Sequence, residues 1–235
     1  MIEGLSPDEI EAVLLSLRVA TWATLVSLPL GIWVAWVLAR KEFWGKQLLN
    51  GLVHLPLILP PVVTGYLLLM LFGTQGTIGR FLADIGIVFA FSWTGAVLAA
   101  AVMAFPLMVR AIRMSIESID QRLEDAAQTL GANGLQRFFI ITLPLAMPGI
   151  LTGAILAFAK ALGEFGATIM FVSNIPGETR TVPSAIYSFM QVPGGEESAM
   201  RLVVFAILLS MAALLLSEWL AHVLHGLWRG DDTDC

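Results

Sequence analysis

The chain has 235 residues, of which 57% are hydrophobic and only 13% are charged. Soluble domains carry roughly 25% charged residues, so the composition argues against a soluble enzyme, a disordered chain and a nucleic-acid-binding protein. The formal net charge is −5 at pH 7, which is too small to indicate a highly charged macromolecular partner. We therefore expect most of the apolar surface to face a lipid bilayer.

Long runs without Asp, Glu, Lys or Arg mark the candidate membrane spans, since a spanning helix needs roughly 20 mainly apolar residues. Such runs lie at 19–39, 47–79, 85–109 and 138–159, and a fifth begins at 202. The predicted spans are 13–38, 48–73, 90–110, 143–168 and 200–225. The sequence thus predicts an all-α, polytopic membrane protein with five to six transmembrane helices in a single domain, 1–235.

The region 173–199 is rich in proline and glycine and predicts an external loop with a short helix near 182–190. Whether this region adds a sixth membrane helix stays open. Residues 1–11 carry four acidic residues and no basic one, so a secretory signal peptide is not expected.

Basic residues predict the orientation, because positively charged loops stay in the cytoplasm. Outside the spans, eight Lys and Arg residues lie on one side and three on the other. The eight lie in 39–47, in 110–142 and at Arg229; the three are Arg80, Arg180 and Arg201. This bias predicts an external N-terminus, a cytoplasmic C-terminus and a cytoplasmic loop at 110–142.

A short amphipathic helix is predicted within loop 110–142. Asp120 suits the N-cap position, and Gly131 suits the left-handed residue that ends a helix. The residues that share one face, at spacings of three and four, are Leu123, Ala126, Ala127 and Leu130. This face is suited to a groove on a partner and equally to the lipid surface, and the pattern alone leaves both open.

The same loop resembles the signature loop of permeases from bacterial ATP-binding-cassette (ABC) importers. The matching elements are Asp125, Ala126, Ala127, Gly131, Ile141, Leu143 and Pro144, at the spacing of that family. In that family the loop begins Glu-Ala-Ala and forms a coupling helix that docks on the ATPase subunit. Here Asp125 stands at the glutamate position and Glu124 precedes it. The ATPase-coupling residues that the resemblance implies are Leu123, Glu124, Asp125, Ala126, Ala127, Leu130, Gly131, Leu143 and Pro144.

Four further stretches resemble the molybdate permease subunits of this family, at 54–66, 91–99, 163–168 and 174–181. The resemblance implies a type I ABC importer permease fold and a homodimer in the bacterial inner membrane. It also implies two ATP-binding subunits that carry ATP and Mg, and a periplasmic molybdate-binding protein. The implied function is import of molybdate by alternating access, with tungstate not distinguished. Sulfate permeases share part of the pattern and are the alternative.

Candidate pore and gate residues lie where helices are interrupted or carry polar groups. Prolines break the apolar run 47–79, and broken helices at membrane depth can line a cavity. Lys160 and Glu164 are four residues apart and can neutralise each other, which we favour over contact with the substrate. Hydroxyl groups offer weak donors to an oxyanion, although each can instead bond its own helix backbone. The candidates are Pro60, Pro61, Thr64, Tyr66, Ser92, Lys160, Glu164 and Thr168.

Catalytic and metal-binding signatures are missing from the sequence. Gly45 and Lys46 are followed by Gln47, so there is no phosphate-binding loop. The single cysteine, Cys235, cannot form an internal disulfide, and the three histidines have no ligand partners at useful spacing. We therefore expect a non-enzymatic subunit that binds no cofactor or metal and takes its energy from a partner. A carrier or channel that works without ATP, and a membrane enzyme or scaffold, are the rival classes.

Overall fold

The structure, a computed structural model, describes residues 6–228. Residues 1–5 and 229–235 lie outside the described part, and with them Arg229 and Cys235. Beyond Leu216 only the Trp219 side chain is described, so His222 and His225 lie outside the described side chains. Within 6–228 the chain is all-α, as predicted, with eleven α-helices and one π-helical turn.

The helices divide into long ones that form the bundle and short ones at its two ends. The first five are α1 (Pro7–Arg40), α2 (Lys46–Ile58), α3 (Pro61–Phe72), α4 (Thr77–Asp84) and α5 (Trp93–Glu117). The others are α6 (Gln121–Thr129), α7 (Gly134–Arg137), α8 (Leu143–Leu162), α9 (Gly166–Val172), α10 (Val182–Phe189) and α11 (Glu196–Trp228). Among residues 6–228, four helical stretches are long and apolar enough to cross a membrane, or five if α2 and α3 count as one bent span.

The first helix begins with a capping box, in which two backbone N–H groups are satisfied by side chains. The Ser6 N–H donates to Glu9 Oε2 at 2.9 Å, and the Glu9 N–H donates to Ser6 Oγ at 3.4 Å. Pro7 occupies the first helical position, where its missing N–H costs nothing. The helix then runs for 34 residues, a length of about 51 Å, and ends at Arg40.

The predicted span 48–73 consists of two helices, α2 and α3, bent by 114°. Leu59 and Pro60 adopt extended backbone at the break, with ψ of 144° and 133°. Each precedes a proline, and the proline ring disfavours helical backbone in the residue before it. Pro56 stays inside α2, so the adjacent pair of prolines sets the bend.

The centre of the bundle is α5, which packs against α1 on one side and α8 on the other. Its inner face carries four buried alanines, Ala96, Ala99, Ala100 and Ala104, together with the larger Met103. On α8, Gly149 and Gly153 face α5 so closely that a Cβ atom at Gly149 would overlap Ser115. Small residues four apart allow such close approach between membrane helices, which explains why one face of α5 is buried.

Two short helices lie at the end of the bundle where α1 begins and α8 finishes. The helix α8 ends at Leu162, before the predicted limit of 168, and a break at 163–165 precedes α9. In the predicted external loop, α10 packs against α1 and α11. The Val182 N–H donates to Ser16 Oγ at 2.7 Å and anchors the start of α10 to α1. With 8 residues, α10 is too short to span a bilayer.

Candidate functional site

The short helix α6 lies at the opposite end of the bundle, beside the end of α1. It begins at the predicted cap, where Asp120 Oδ1 accepts from the Arg122 N–H at 2.9 Å. It ends in a Schellman motif, because the Gly131 N–H donates to the Gln128 carbonyl and the Ala132 N–H to that of Ala127. Gly131 adopts the left-handed conformation that the motif needs, with φ of +90°. Both ends of α6 are therefore fixed by local bonds.

The outer face of α6 is left uncovered by the rest of the described chain. The Leu130 side chain is 88% exposed and that of Leu123 is 49% exposed. Ala126 and Asp125 are also exposed, while Ala127 is half-buried. A capped helix that presents two leucines flanking small residues offers a surface for a partner's groove.

Glu124, in contrast, turns towards the bundle. Its Oε1 atom accepts from Arg40 Nε at 3.0 Å and from Thr142 Oγ1 at 3.0 Å. Arg40 also donates from Nη2 to the Ile119 carbonyl at 3.0 Å. The side chains of Arg40 and Glu124 are only 10% and 13% exposed. The sequence identifies Arg40 only as one of the basic residues in 39–47, and its contact with Glu124 is seen only in the structure.

The connection from α6 to α8 is helical throughout its second half. Asn133 forms a capping box with Gln136 and starts α7. A π-helical turn, Phe138–Thr142, joins α7 to α8. Leu143 and Pro144 therefore lie half-buried in the first turn of α8 and apart from the exposed face of α6.

The charged pair predicted inside the fourth span is formed. Lys160 Nζ donates to Glu164 Oε2 at 2.7 Å, and Glu164 Oε1 accepts from the Ala167 N–H at 3.0 Å. The Glu164 side chain is 1% exposed. Its two oxygens bond to residues on either side of the break between α8 and α9, so in the structure it fixes these two helices relative to each other. Lys160 is neutralised in this arrangement.

The broken helices α3 and α9 meet beside this pair. A Cβ atom at Gly65 would overlap the backbone of Ala167, and one at Gly166 would overlap Pro61. Thr64 and Thr168 are both buried. The Thr64 Oγ1 atom has no hydrogen-bond partner among the described residues. The structure thus brings Pro61, Thr64, Glu164 and Thr168 into one contact region, with Pro60 at its edge.

The two remaining candidates lie elsewhere. The Tyr66 side chain is half exposed and lines an open cavity of about 350 Å³ together with Met70 and Phe91. Ser92 is the N-cap of α5, and its Oγ accepts from the Gly95 N–H at 3.3 Å. The same hydroxyl donates to the Phe89 carbonyl at 2.8 Å, so it is engaged with its own backbone.

A bundle of apolar helices with a bent pair, a broken helix and an uncovered helix at one end is the architecture of a multi-pass integral membrane protein. The family described as "Binding-protein-dependent transport system inner membrane component" matches residues 27–229. The chain belongs to this family.

Two relatives and one solved structure illustrate the similarity. "Molybdenum transport system permease protein ModB" of Escherichia coli (strain K12) is 62% identical over 220 residues, 93% of this chain and 96% of that protein. "Probable sulfate transport system permease protein cysT" of Chlorokybus atmophyticus is 37% identical and covers 79% of this chain and 65% of that protein. A bacterial ABC transporter for import of the acidic polysaccharide alginate matches with a TM-score of 0.73 at 19% identity, over 92% of this chain and 80% of that one. The fold is therefore that of type I ABC importer permeases.

Proposed function

We propose that this chain is the permease subunit of an ATP-driven importer that carries molybdate across the bacterial inner membrane, with tungstate as an equivalent substrate. The similarity that carries the proposal is the 62% identity to a molybdenum permease along nearly the whole of both chains. The 37% identity to a sulfate permease makes sulfate the second candidate substrate.

The proposed orientation places the N-terminus outside and α6 in the cytoplasm. The end of the bundle that contains α6 carries most of the basic residues, which supports this direction. They are Arg40, Lys41, Lys46, Arg110, Arg113, Arg122 and Arg137. The end with α10 then faces the periplasm, where a molybdate-binding protein would deliver its ligand.

The exposed face of α6 is the proposed docking site for an ATPase subunit, which holds ATP and Mg. The coupling residues in this proposal are those of the loop motif, with Leu123 and Leu130 as the apolar contacts and Asp125 as the exposed acid. Each chain supplies one α6, so a machine with two ATPase subunits needs two copies of this chain. The partners are therefore a second copy, two ATPases and one binding protein.

The contact region between α3 and α9 is the proposed wall of the substrate path. An ion that is conducted needs donors without tight binding, and Thr64 carries a buried hydroxyl without a partner among residues 6–228. Lys160 is held by Glu164, so it is not proposed as the anion contact. The bend at Pro60 and Pro61 gives the path a point at which two helices can change their angle.

The substrate is tested by uptake of radiolabelled molybdate in a strain that lacks this gene. Restoring the gene is expected to restore uptake, and unlabelled tungstate is expected to compete at concentrations similar to those of molybdate. Sulfate in excess is expected to compete poorly. If sulfate competes as well as molybdate, the chain is a general oxyanion permease and the proposed substrate is wrong.

The docking surface is tested by Leu130→Glu, which adds a charge to a side chain that is 88% exposed and that no described residue covers. We expect the permease to fold and reach the membrane but to lose the ATPase subunit on purification. Trp44→Glu is the matched control, because Trp44 is fully exposed in the loop between α1 and α2, at the same end of the bundle and outside the predicted spans. Retention of the ATPase by Leu130→Glu would refute the proposed surface.

A further inference from the structure

We propose that Arg40 is a positioning residue for energy coupling: it ties α6 to α1 through Glu124, so that a displacement of α6 moves α1 and α8 together. This inference rests on the proposed function, because it requires an ATPase that displaces α6. Neither the loop motif nor the predicted spans include Arg40 among the residues that matter for coupling.

Three separate elements meet at one carboxylate oxygen. Glu124 Oε1 on α6 accepts from Arg40 Nε at the end of α1, at 3.0 Å. It also accepts from Thr142 Oγ1 in the π-helical turn before α8, at 3.0 Å. Thr142 is fully buried. The carboxylate therefore fixes α6 to the first helix and to the start of the fourth span at the same time.

Arg40 adds a second contact to the same loop. Its Nη2 atom donates to the Ile119 carbonyl, just before α6, at 3.0 Å. The planar guanidinium places these two donors in a fixed geometry, so the end of α1 holds both the start of the loop and the helix itself. A shift of α6 that left Arg40 behind would break both hydrogen bonds.

The low solvent exposure of Arg40 and Glu124 makes their ion pair strong enough to act as a tether. Solvent-exposed ion pairs contribute little, because water and salt screen them. With 10% and 13% exposure, Arg40 and Glu124 are largely removed from water, so separating them leaves charges without compensation. By comparison, Glu42, which pairs with Lys46 near the same end, is 87% exposed. The Arg40 and Glu124 pair is therefore the strong connection.

The two neighbouring acids of the motif then have different tasks. Glu124 faces the bundle and holds α6 in position. Asp125 is exposed on α6 and has no hydrogen bond or ion pair from its side chain to another described residue. In this division, Asp125 is free for the partner, while Glu124 transmits what the partner does.

The test uses the complete complex of permease, ATPase and binding protein in proteoliposomes, with molybdate uptake and ATP hydrolysis measured in the same vesicles. For Arg40→Ala and Glu124→Ala we expect the ATPase to stay bound while molybdate carried per ATP hydrolysed falls about tenfold, within the usual range of coupling between sites. The exchanged pair, Arg40→Glu with Glu124→Arg, is expected to recover part of the ratio. Glu117→Ala is the control, since Glu117 pairs with Arg113 inside α5 and is 45% exposed.

An unchanged ratio in both single variants overturns the tether, and so does loss of the ATPase from the complex, because the pair would then only shape the docking surface. If Arg40→Ala does not fold, the same ratio of molybdate carried per ATP hydrolysed is measured for Arg40→Lys. A lysine places its charge on one nitrogen and cannot reproduce the fork, so an intermediate ratio supports the tether and a wild-type ratio overturns it. The proposed function itself fails on a separate result, namely no ATP-dependent molybdate uptake by the unaltered complex.

Discussion

The carboxylate of Glu164 accepts a hydrogen bond from the backbone N–H of Ala167 at 3.0 Å, across the break that separates α8 from α9. Its other oxygen accepts from Lys160 at 2.7 Å. Because the side chain is 1% exposed, these partners take the place of water. The carboxylate is thus engaged in holding two helices in place, which is the kind of role that the spacing of Lys160 and Glu164 favours in the sequence.

Lys160→Ala is expected to destabilise the protein more than Glu164→Gln. The lysine variant leaves a buried carboxylate without its cation, at a cost of about 3 kcal/mol or more. The glutamine variant removes the charge and keeps an oxygen for the Ala167 N–H. The measurement is the apparent Tm in detergent, with a fall of about 6 °C or more for Lys160→Ala. The opposite order would contradict the assigned role of Glu164.

The Arg201 side chain forms ion pairs with two glutamates, one of which is buried and the other exposed. It donates to both oxygens of Glu9, at 2.7 Å and 3.3 Å, and Glu9 is fully buried. It also pairs with Glu197, which is 88% exposed. We expect Glu9→Ala to lower the apparent Tm by several degrees and Glu197→Ala to change the free energy of unfolding by less than about 1 kcal/mol. Equal effects would show that burial does not govern these pairs.

Gly131→Ala is expected to loosen the end of α6. The residue has φ of +90°, where a side chain costs about 1 kcal/mol or more. Hydrogen exchange of the Ala132 amide, which bonds the Ala127 carbonyl, is expected to speed up about fivefold, since RT ln 5 is about 1 kcal/mol. Gly134→Ala is the control, because a Cβ atom there meets only Arg137 Nη2 at 4.0 Å. Similar exchange in both variants would argue against the Schellman cap.

Gly65→Ala is expected to push α3 away from α9. An added Cβ atom would lie 2.8 Å from the Ala167 Cα atom, and backbone cannot move aside as a side chain can. Gly51→Ala, on α2, meets nothing within 4 Å and is expected to stabilise its helix by up to about 1 kcal/mol. Thermal unfolding of the two variants should therefore shift in opposite directions. A shared direction would mean that α3 and α9 do not pack as described.

Thr64→Val separates stability from transport. The Thr64 Oγ1 atom is buried without a partner among the described residues, so its removal is expected to keep or raise the free energy of unfolding, by about 1 kcal/mol. If the hydroxyl contacts the passing oxyanion, molybdate uptake falls while stability does not. Thr64→Ser, which keeps the hydroxyl, is expected to retain uptake. Normal uptake by Thr64→Val would remove Thr64 from the proposed path.

The helical class and the position of α6 follow from short-range patterns in the sequence. Hydropathy, the Asp120 cap and Gly131 act within a few residues of each other, so they can be read along the chain. The inward turn of Glu124 cannot be read in this way, because its partners Arg40 and Thr142 are 84 and 18 residues away. For that reason Glu124 and Asp125 cannot be told apart from the sequence, whereas in the structure Glu124 faces the bundle and Asp125 is exposed.

The geometry of breaks inside apolar runs is the second feature that the sequence does not predict. The two adjacent prolines predict an interruption, and the structure has one there, but the 114° angle depends on how α3 packs against α9. The predicted span runs to 168, whereas α8 ends at Leu162. Gly163 permits a break without requiring one, and the decisive contact is the bond from Ala167 to Glu164.

The helix α1 is pinned by an arginine and carboxylate pair near each of its ends, at Glu9 and at Arg40. The 31 residue steps from Glu9 to Arg40 span about 47 Å at the usual rise per residue, and an α-helix does not lengthen under small loads. A helix of nearly fixed length that is held at both ends passes a displacement of one end to the other, and Pro29 inside α1 is a position where it can also bend. Distance changes recorded by probes at the two ends of α1 should therefore be correlated across the two faces of the membrane.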